Sequence, residues 1–71
     1  MKSSYKFVLK SPSGTDEIPF HGTQYQGNKA LERLSYCLVD SKYTSLELWL
    51  DCTHVKACVN KVTFRGVRHG L

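Results

Sequence analysis

Apolar and polar residues alternate with a period of two in the first part of the chain, which is the pattern of half-buried β-strands. Tyr5–Lys10 places two lysines on one face and large apolar side chains on the other. A second strand is predicted near Thr15–Phe20, after the turn-forming segment Ser11–Gly14. Because Pro19 lacks the amide hydrogen for a ladder hydrogen bond, we expect this strand at an edge of the sheet.

A third strand is predicted at Ser45–Cys52, where every second residue is a leucine. Its two faces consist of Leu46, Leu48 and Leu50 on one side and Glu47, Trp49 and Asp51 on the other. The leucines therefore belong to the predicted core. Trp49 lies on the opposite face, between two carboxylates.

The segment from Thr53 to the end of the apolar pattern has two interpretations. Apolar positions are odd-numbered up to Val59 and even-numbered from Val62, so a single strand would need a bulge near Asn60. We instead predict a short helix or turn over residues 53–60, followed by a last strand at Lys61–Val67.

Between the second and third strands the apolar spacing changes to three and four residues, which predicts an amphipathic helix. The apolar stripe consists of Ala30, Leu31, Leu34, Cys37 and Leu38. We place the helix at Lys29–Val39, with Asn28 as its N-cap and His21–Gly27 as a surface loop. Cys37 is thereby predicted to be a core residue.

The element order is strand, strand, helix, strand, strand, which predicts a small, mostly antiparallel sheet with one helix packed on one face. With 71 residues, 41% hydrophobic and 23% charged, the chain fits a single α+β domain over residues 1–71. If the second sheet face is uncovered, it is where function is expected.

The chain has no apolar run as long as a signal peptide core or a membrane span, so we predict no membrane association. Its three cysteines cannot all pair within one chain. Secreted domains of this size usually carry several disulfides, so reduced cysteines and a cytoplasmic location are predicted.

The formal net charge is +4, and the charges are segregated along the chain. All acids lie in residues 16–51, and both ends are basic. If the first and last strands are neighbours, the basic residues form a stripe that would attract phosphates. That stripe would contain Lys6, Lys10, Lys61, Arg65 and Arg68. The alternative is a solvated basic face that serves only solubility.

Trp49 favours a protein partner over a nucleic acid. An exposed aromatic on a sheet can stack on bases, but Glu47 and Asp51 on the same face would repel a phosphate backbone. Aromatics in a mixed-charge patch are common protein-binding anchors, so these three residues are the predicted protein-binding site. The alternative is that a loop or the 53–60 segment covers Trp49.

Candidate catalytic and metal constellations are weak. Cys52, His54 and Cys58 are close in sequence, but no CxxC pair exists and the fourth zinc ligand would have to be His69, His21 or Cys37. The acids Asp16 and Glu17 are adjacent and would point apart on a strand, and the glycines form no phosphate-binding fingerprint. We therefore predict no enzymatic activity, no metal and no cofactor, and thiols that belong to the core.

Together these features predict a small non-enzymatic regulatory or inhibitory module that binds a larger protein through an exposed sheet face. By class analogy, phage and other mobile elements encode compact antagonists of this type. The alternative is a nucleic-acid-binding protein that uses the basic stripe. A third hypothesis is a homodimer formed through the edge that carries Pro19 or through the last strand.

Overall fold

A computed structural model describes residues 3–38 and 41–64 of the chain. Its elements in chain order are β1 (Ser3–Ser11), β2 (Gly14–Gly22), α1 (Gln24–Cys37), β3 (Ser45–Asp51) and β4 (Lys56–Thr63). The strands form one antiparallel sheet in the order β2-β1-β3-β4, and α1 packs against one of its faces. The predicted α+β class and element order are confirmed. No helix in the described ranges is long and apolar enough to cross a membrane.

The β1–β2 hairpin follows the predicted turn chemistry. Ser11 pairs with Gly14 across a two-residue loop that begins with Pro12. Gly14 has a φ of 151°, a backbone conformation that residues with a side chain rarely adopt. β2 lies at an edge of the sheet, as Pro19 predicted.

The hydrophobic core lies between α1 and the two central strands. It consists of Tyr5, Phe7, Leu9, Leu31, Leu46 and Leu48. Three leucines of this cluster are fully buried: Leu31, Leu46 and Leu48. Burial of a leucine side chain stabilises a fold by roughly 1.5–3 kcal/mol, so each of them contributes substantially to the stability of the domain. Phe20 of β2 packs against Phe7 with ring centroids 5.5 Å apart, which joins the edge strand to the core.

The helix begins five residues earlier than predicted. It starts at Gln24, so the interpretation of His21–Gly27 as a loop, with Asn28 as the cap, is wrong. Thr23 is the N-cap: its hydroxyl accepts a hydrogen bond from the Gln26 amide at 3.1 Å, and the Gln26 side chain accepts one from the Thr23 amide at 3.0 Å. This capping box satisfies two backbone donors at the helix start, which favours initiation here.

An early start places Gly27 where α1 approaches the sheet. A Cβ atom at this position would lie 2.9 Å from Cδ2 of the buried Leu48, closer than real Cβ contacts occur. Gly27 itself is buried. Because Gly27 has no side chain, the helix can approach the sheet closely at this position. Gly27 thus lies inside α1 and does not end a loop, contrary to the prediction.

The prediction of a short helix or turn over residues 53–60 is wrong for residues 56–60, which belong to β4, and only residues 53–55 of this segment lie in the connection from β3. The register shifts so that Leu48 pairs with Asn60 while Trp49 pairs with Cys58. Val59 is the extra residue of a β-bulge, and it packs against the core. A bulge reverses the alternation of a strand, which is the phase change seen in the sequence. Of the predicted strand Lys61–Val67, the part beyond Phe64 lies outside the described residues.

The expected adjacency of the first and last strands is wrong. β1 lies between β2 and β3, and β4 forms the far edge of the sheet. Because the hairpin places β2 on one side of β1, the strand that follows α1 takes the other side. β3 therefore separates the lysines of β1 from those of β4.

Candidate functional site

The sheet face opposite α1, called the outer face below, carries the polar alternate positions of the strands. Strand register places Lys6 opposite Trp49, Val8 opposite Glu47, and Glu47 opposite Lys61. The predicted grouping of Trp49, Glu47 and Asp51 on one face follows from their positions in β3.

Glu47 lies at the centre of the outer face and is only 4% exposed. Its carboxylate accepts a hydrogen bond of 2.8 Å from Nε1 of Trp49, two residues further along the same strand. The Nζ atoms of Lys10 and Lys61 lie 3.4 and 3.5 Å from it, from the two neighbouring strands. We call these four residues the Glu47 network.

Electrostatics keep Glu47 ionised. Burial raises the pKa of Glu47, but the hydrogen bond from Trp49, the charge of Lys10 and the hydrogen bonds from Lys10 and Lys61 together hold the pKa below its ordinary value. A buried carboxylate with three donors is compensated for the loss of solvation. At neutral pH the carboxylate therefore fixes the orientation of the indole ring.

Trp49 forms part of the wall of an open cleft of about 270 Å³. Val8, 6% exposed, supplies another apolar surface, and charged residues of neighbouring strands complete the lining. These charged residues include Lys6, Lys10, Lys56 and Glu17. The indole is half-buried, so the described residues cover it only in part. The cleft thus combines a fixed aromatic ring with charges of both signs.

The three predicted protein-binding residues occupy different environments. Asp51 is half-buried at the end of β3, and its Oδ1 lies 3.8 Å from Nζ of Lys56. Glu47 is buried, and its carboxylate accepts the hydrogen bond from Trp49. Trp49 is the member that is both fixed and partly accessible.

The predicted basic stripe is interrupted by carboxylates. Lys6, Lys10 and Lys61 all lie on the outer face, but Lys6 is 3.5 Å from Glu17 and the other two lysines flank Glu47. Arg65 and Arg68 lie outside the described residues. Within the described part of the chain, the stripe is therefore a set of ion pairs.

The cysteines are not core residues, contrary to prediction. Cys37, Cys52 and Cys58 are all exposed. Cys37 lies in the last turn of α1, at the margin of the apolar stripe. Cys58 pairs with Trp49 on the outer face, whereas Cys52 lies in the connection that follows β3. In residues 3–38 and 41–64 no group of three or more histidines, cysteines or acids could hold a metal ion.

The adjacent acids of β2 point apart, as predicted. Glu17 lies beside Lys6 on the outer face, and Asp16 accepts a hydrogen bond of 2.6 Å from the Tyr43 hydroxyl. This hydrogen bond raises the pKa of Tyr43, with smaller effects of burial and the Asp16 charge. The contact ties the segment before β3 to the β2 edge.

Sequence reasoning missed two exposed tyrosines on α1. Tyr25 and Tyr36 are 70% and 72% exposed. Their positions opposite the apolar stripe are readable from helical spacing, but the predicted helix begins after Tyr25.

Comparison of the chain with protein families, curated proteins and solved structures returned no match.

Proposed function

We propose that this protein is a small non-enzymatic regulatory or inhibitory module that binds a larger protein through its outer face. The observation that supports this most strongly is the position of Trp49. Its ring is held by Glu47 at the wall of an open cleft, on the sheet face opposite α1.

A fixed indole is an efficient binding anchor. Binding usually costs roughly 0.5–1.5 kcal/mol for each flexible side chain that is immobilised. The hydrogen bond to Glu47 removes most of that cost for Trp49 before a partner arrives. Tryptophan is also enriched among residues whose truncation weakens protein complexes by 2 kcal/mol or more.

The lining of the cleft indicates the chemistry of the partner surface. Trp49 and Val8 suit an apolar side chain of the partner. The charged residues that line the cleft with them are three lysines and two carboxylates, so one positive charge is in excess. An apolar side chain flanked by an acidic residue would complement this face.

The pairing of the lysines favours a protein over a nucleic acid. A phosphate backbone would have to displace Glu17 from Lys6 and approach the buried charge of Glu47 between Lys10 and Lys61. Phosphate binding depends on unpaired cations that release counterions. Nucleic-acid binding therefore stays the alternative prediction.

The cellular setting is also a proposal. Three free, exposed cysteines support a reducing compartment such as the cytoplasm. An origin in a phage or mobile element stays a class analogy.

An affinity capture with matched variants tests the proposed function. The tagged protein and its Trp49→Ala and Tyr25→Ala variants would be expressed in the organism that encodes them, and captured proteins identified by mass spectrometry. Tyr25→Ala is the matched control, since it removes an exposed aromatic ring from the other side of the molecule.

The captured partner would then be purified and its affinity measured by calorimetry. We expect Trp49→Ala to raise the dissociation constant at least about 30-fold, and Tyr25→Ala to leave the affinity for the partner unchanged. Equal affinity of the wild type and the Trp49→Ala variant would refute the role of the cleft.

A further inference from the structure

The outward surface of α1 carries four exposed residues in one stripe. Tyr25, Lys29, Glu32 and Tyr36 follow each other at spacings of four, three and four, which places them on one helix face. The core residue Leu31 lies on the opposite side of the helix. Both tyrosines are largely exposed, and tyrosine is enriched in protein interfaces.

Within one chain, each charge of the stripe contacts the tyrosine at its own end. Nζ of Lys29 lies 5.7 Å from the ring centroid of Tyr25. The Tyr36 hydroxyl donates a hydrogen bond of 3.5 Å to Glu32. Among the ion pairs of the described residues, none joins Lys29 to Glu32. Their opposite charges are thus available to another molecule.

The stripe is self-complementary when it is reversed. Read from either end, it presents an aromatic ring, a charge, the opposite charge and an aromatic ring. We propose that α1 packs antiparallel against α1 of a second copy, about a two-fold axis. Tyr25 then faces Tyr36 of the second copy, and Lys29 faces its Glu32. Each of these contacts occurs twice.

Charge complementarity selects this arrangement over a parallel one. A parallel pair would place Lys29 against Lys29 and Glu32 against Glu32 of the second copy. The spacing of four, three and four is that of the contact positions of antiparallel helix pairs, whose side chains interdigitate. The stripe therefore favours a second copy of the chain as the partner, with the two α1 helices antiparallel.

The expected dimer is weak. Residues 25–36 cover about 16 Å of helix, so the contact is smaller than the roughly 1,200–2,000 Å² of stable interfaces. Association is therefore expected only at tens to hundreds of micromolar protein, on the order of low-affinity contacts.

This dimer does not require the proposed function, because α1 lies on the face of the sheet opposite the cleft. It would leave both outer faces free and pointing away from each other.

Sedimentation equilibrium of the full chain from about 10 µM to 1 mM tests the proposal, since this range brackets a weak dimer. The wild type is expected to show a concentration-dependent dimer. A Tyr25→Ala variant loses an aromatic contact at both ends of the interface, and its dissociation constant should rise at least about tenfold.

Charge reversal gives the decisive comparison. Lys29→Glu or Glu32→Lys alone places like charges across the axis twice, and each should weaken the dimer about five- to tenfold. The double variant, with both reversals, restores opposite charges across the axis and should recover wild-type association. Circular dichroism and a melting curve verify that each variant is folded.

Two results would overturn the proposal. One is a wild-type chain that stays monomeric over the whole concentration range. The other is a dimer whose association is unchanged by Tyr25→Ala and by both single reversals, since that dimer would form through another surface, such as a sheet edge.

Discussion

Replacement of Glu47 by glutamine tests how the Glu47 network stabilises the fold. The substitution keeps the size of the side chain and an oxygen that can accept the hydrogen bond from Trp49 Nε1. It removes the negative charge that faces Lys10 and Lys61 at 3.4 and 3.5 Å. The difference between the two proteins therefore reports mainly on charge at a position that is 4% exposed.

The magnitude follows from these contacts. A hydrogen bond to a charged group contributes about 1.5–3 kcal/mol, against about 0.5–1.5 kcal/mol for a neutral one, so about 1 kcal/mol is lost at Trp49. The two lysine side chains are about half exposed, and such ion pairs contribute between about 0 and 1 kcal/mol each. We expect the Glu47→Gln variant to be less stable by about 1–3 kcal/mol. For a domain of this size that corresponds to a melting temperature about 4–24 °C lower.

The pH dependence gives a second, signed test. Because the pKa of Glu47 is lowered in the folded state, its charge contributes stability that is present above the pKa of the unfolded chain. That contribution is lost as the pH falls through the lower, folded-state pKa. In thermal melts at neutral pH and at successively lower pH, the difference in melting temperature between the wild type and the Glu47→Gln variant should decrease as the pH falls.

Glu17→Gln is the matched control, because Glu17 is an exposed carboxylate that pairs with a single lysine, Lys6, at 3.5 Å. We expect its effect to be about 0.5 kcal/mol or less. The reasoning is refuted if Glu47→Gln changes stability no more than this control does at neutral pH. A stability difference that widens as the pH falls would also refute it.

Three further predictions concern the helix start, the thiols and the basic residues. Thr23→Ala removes one half of the capping box and should lower the free energy of unfolding by about 1 kcal/mol, as measured by urea titration. An unchanged free energy of unfolding would indicate that α1 begins later than Gln24. Native protein should react with Ellman's reagent at all of its three cysteines without denaturant, whereas core thiols would react only after unfolding. Gel-shift titrations at low salt should show no tight binding to DNA or RNA, and a steep salt-dependent affinity would instead support the nucleic-acid alternative.

The first three strands were predictable because their signals are local. Alternation in Tyr5–Lys10 and Ser45–Cys52 depends on residues two positions apart, and the turn at Ser11–Gly14 depends on four consecutive residues. Pro19 marked the sheet edge through the absence of one donor. Each of these signals operates within a single element, so no knowledge of the neighbours was needed.

The errors in secondary structure arose where two local signals competed. The apolar stripe from Ala30 onward pointed to a late helix start, although Thr23 and Gln26 have the spacing of a capping box. Gly27 resembled a loop residue because its contact with Leu48 is tertiary. The phase change around Val59 fits both a bulge and a short helix, and pairing with β3 decides between them.

The candidate site was predictable in position but not in environment. Alternation placed Trp49 and Glu47 on one face. The burial of Glu47 depends on lysines from two other strands, and therefore on the strand order, which the sequence does not encode locally. The prediction of a core position for Cys37 failed for a similar reason, because the packing of α1 leaves its last turn exposed.

The environment of Trp49 in the complex tests the central claim most directly, since this is the only tryptophan in the chain. The chain can be labelled with 5-fluorotryptophan and titrated with the captured partner while the fluorine NMR signal is recorded. Burial of the indole at the interface predicts a shifted, broadened signal and protection of the label from a soluble paramagnetic quencher. A partner that binds by calorimetry but leaves the signal and its quenching unchanged would contradict the assignment of the outer face as the binding surface.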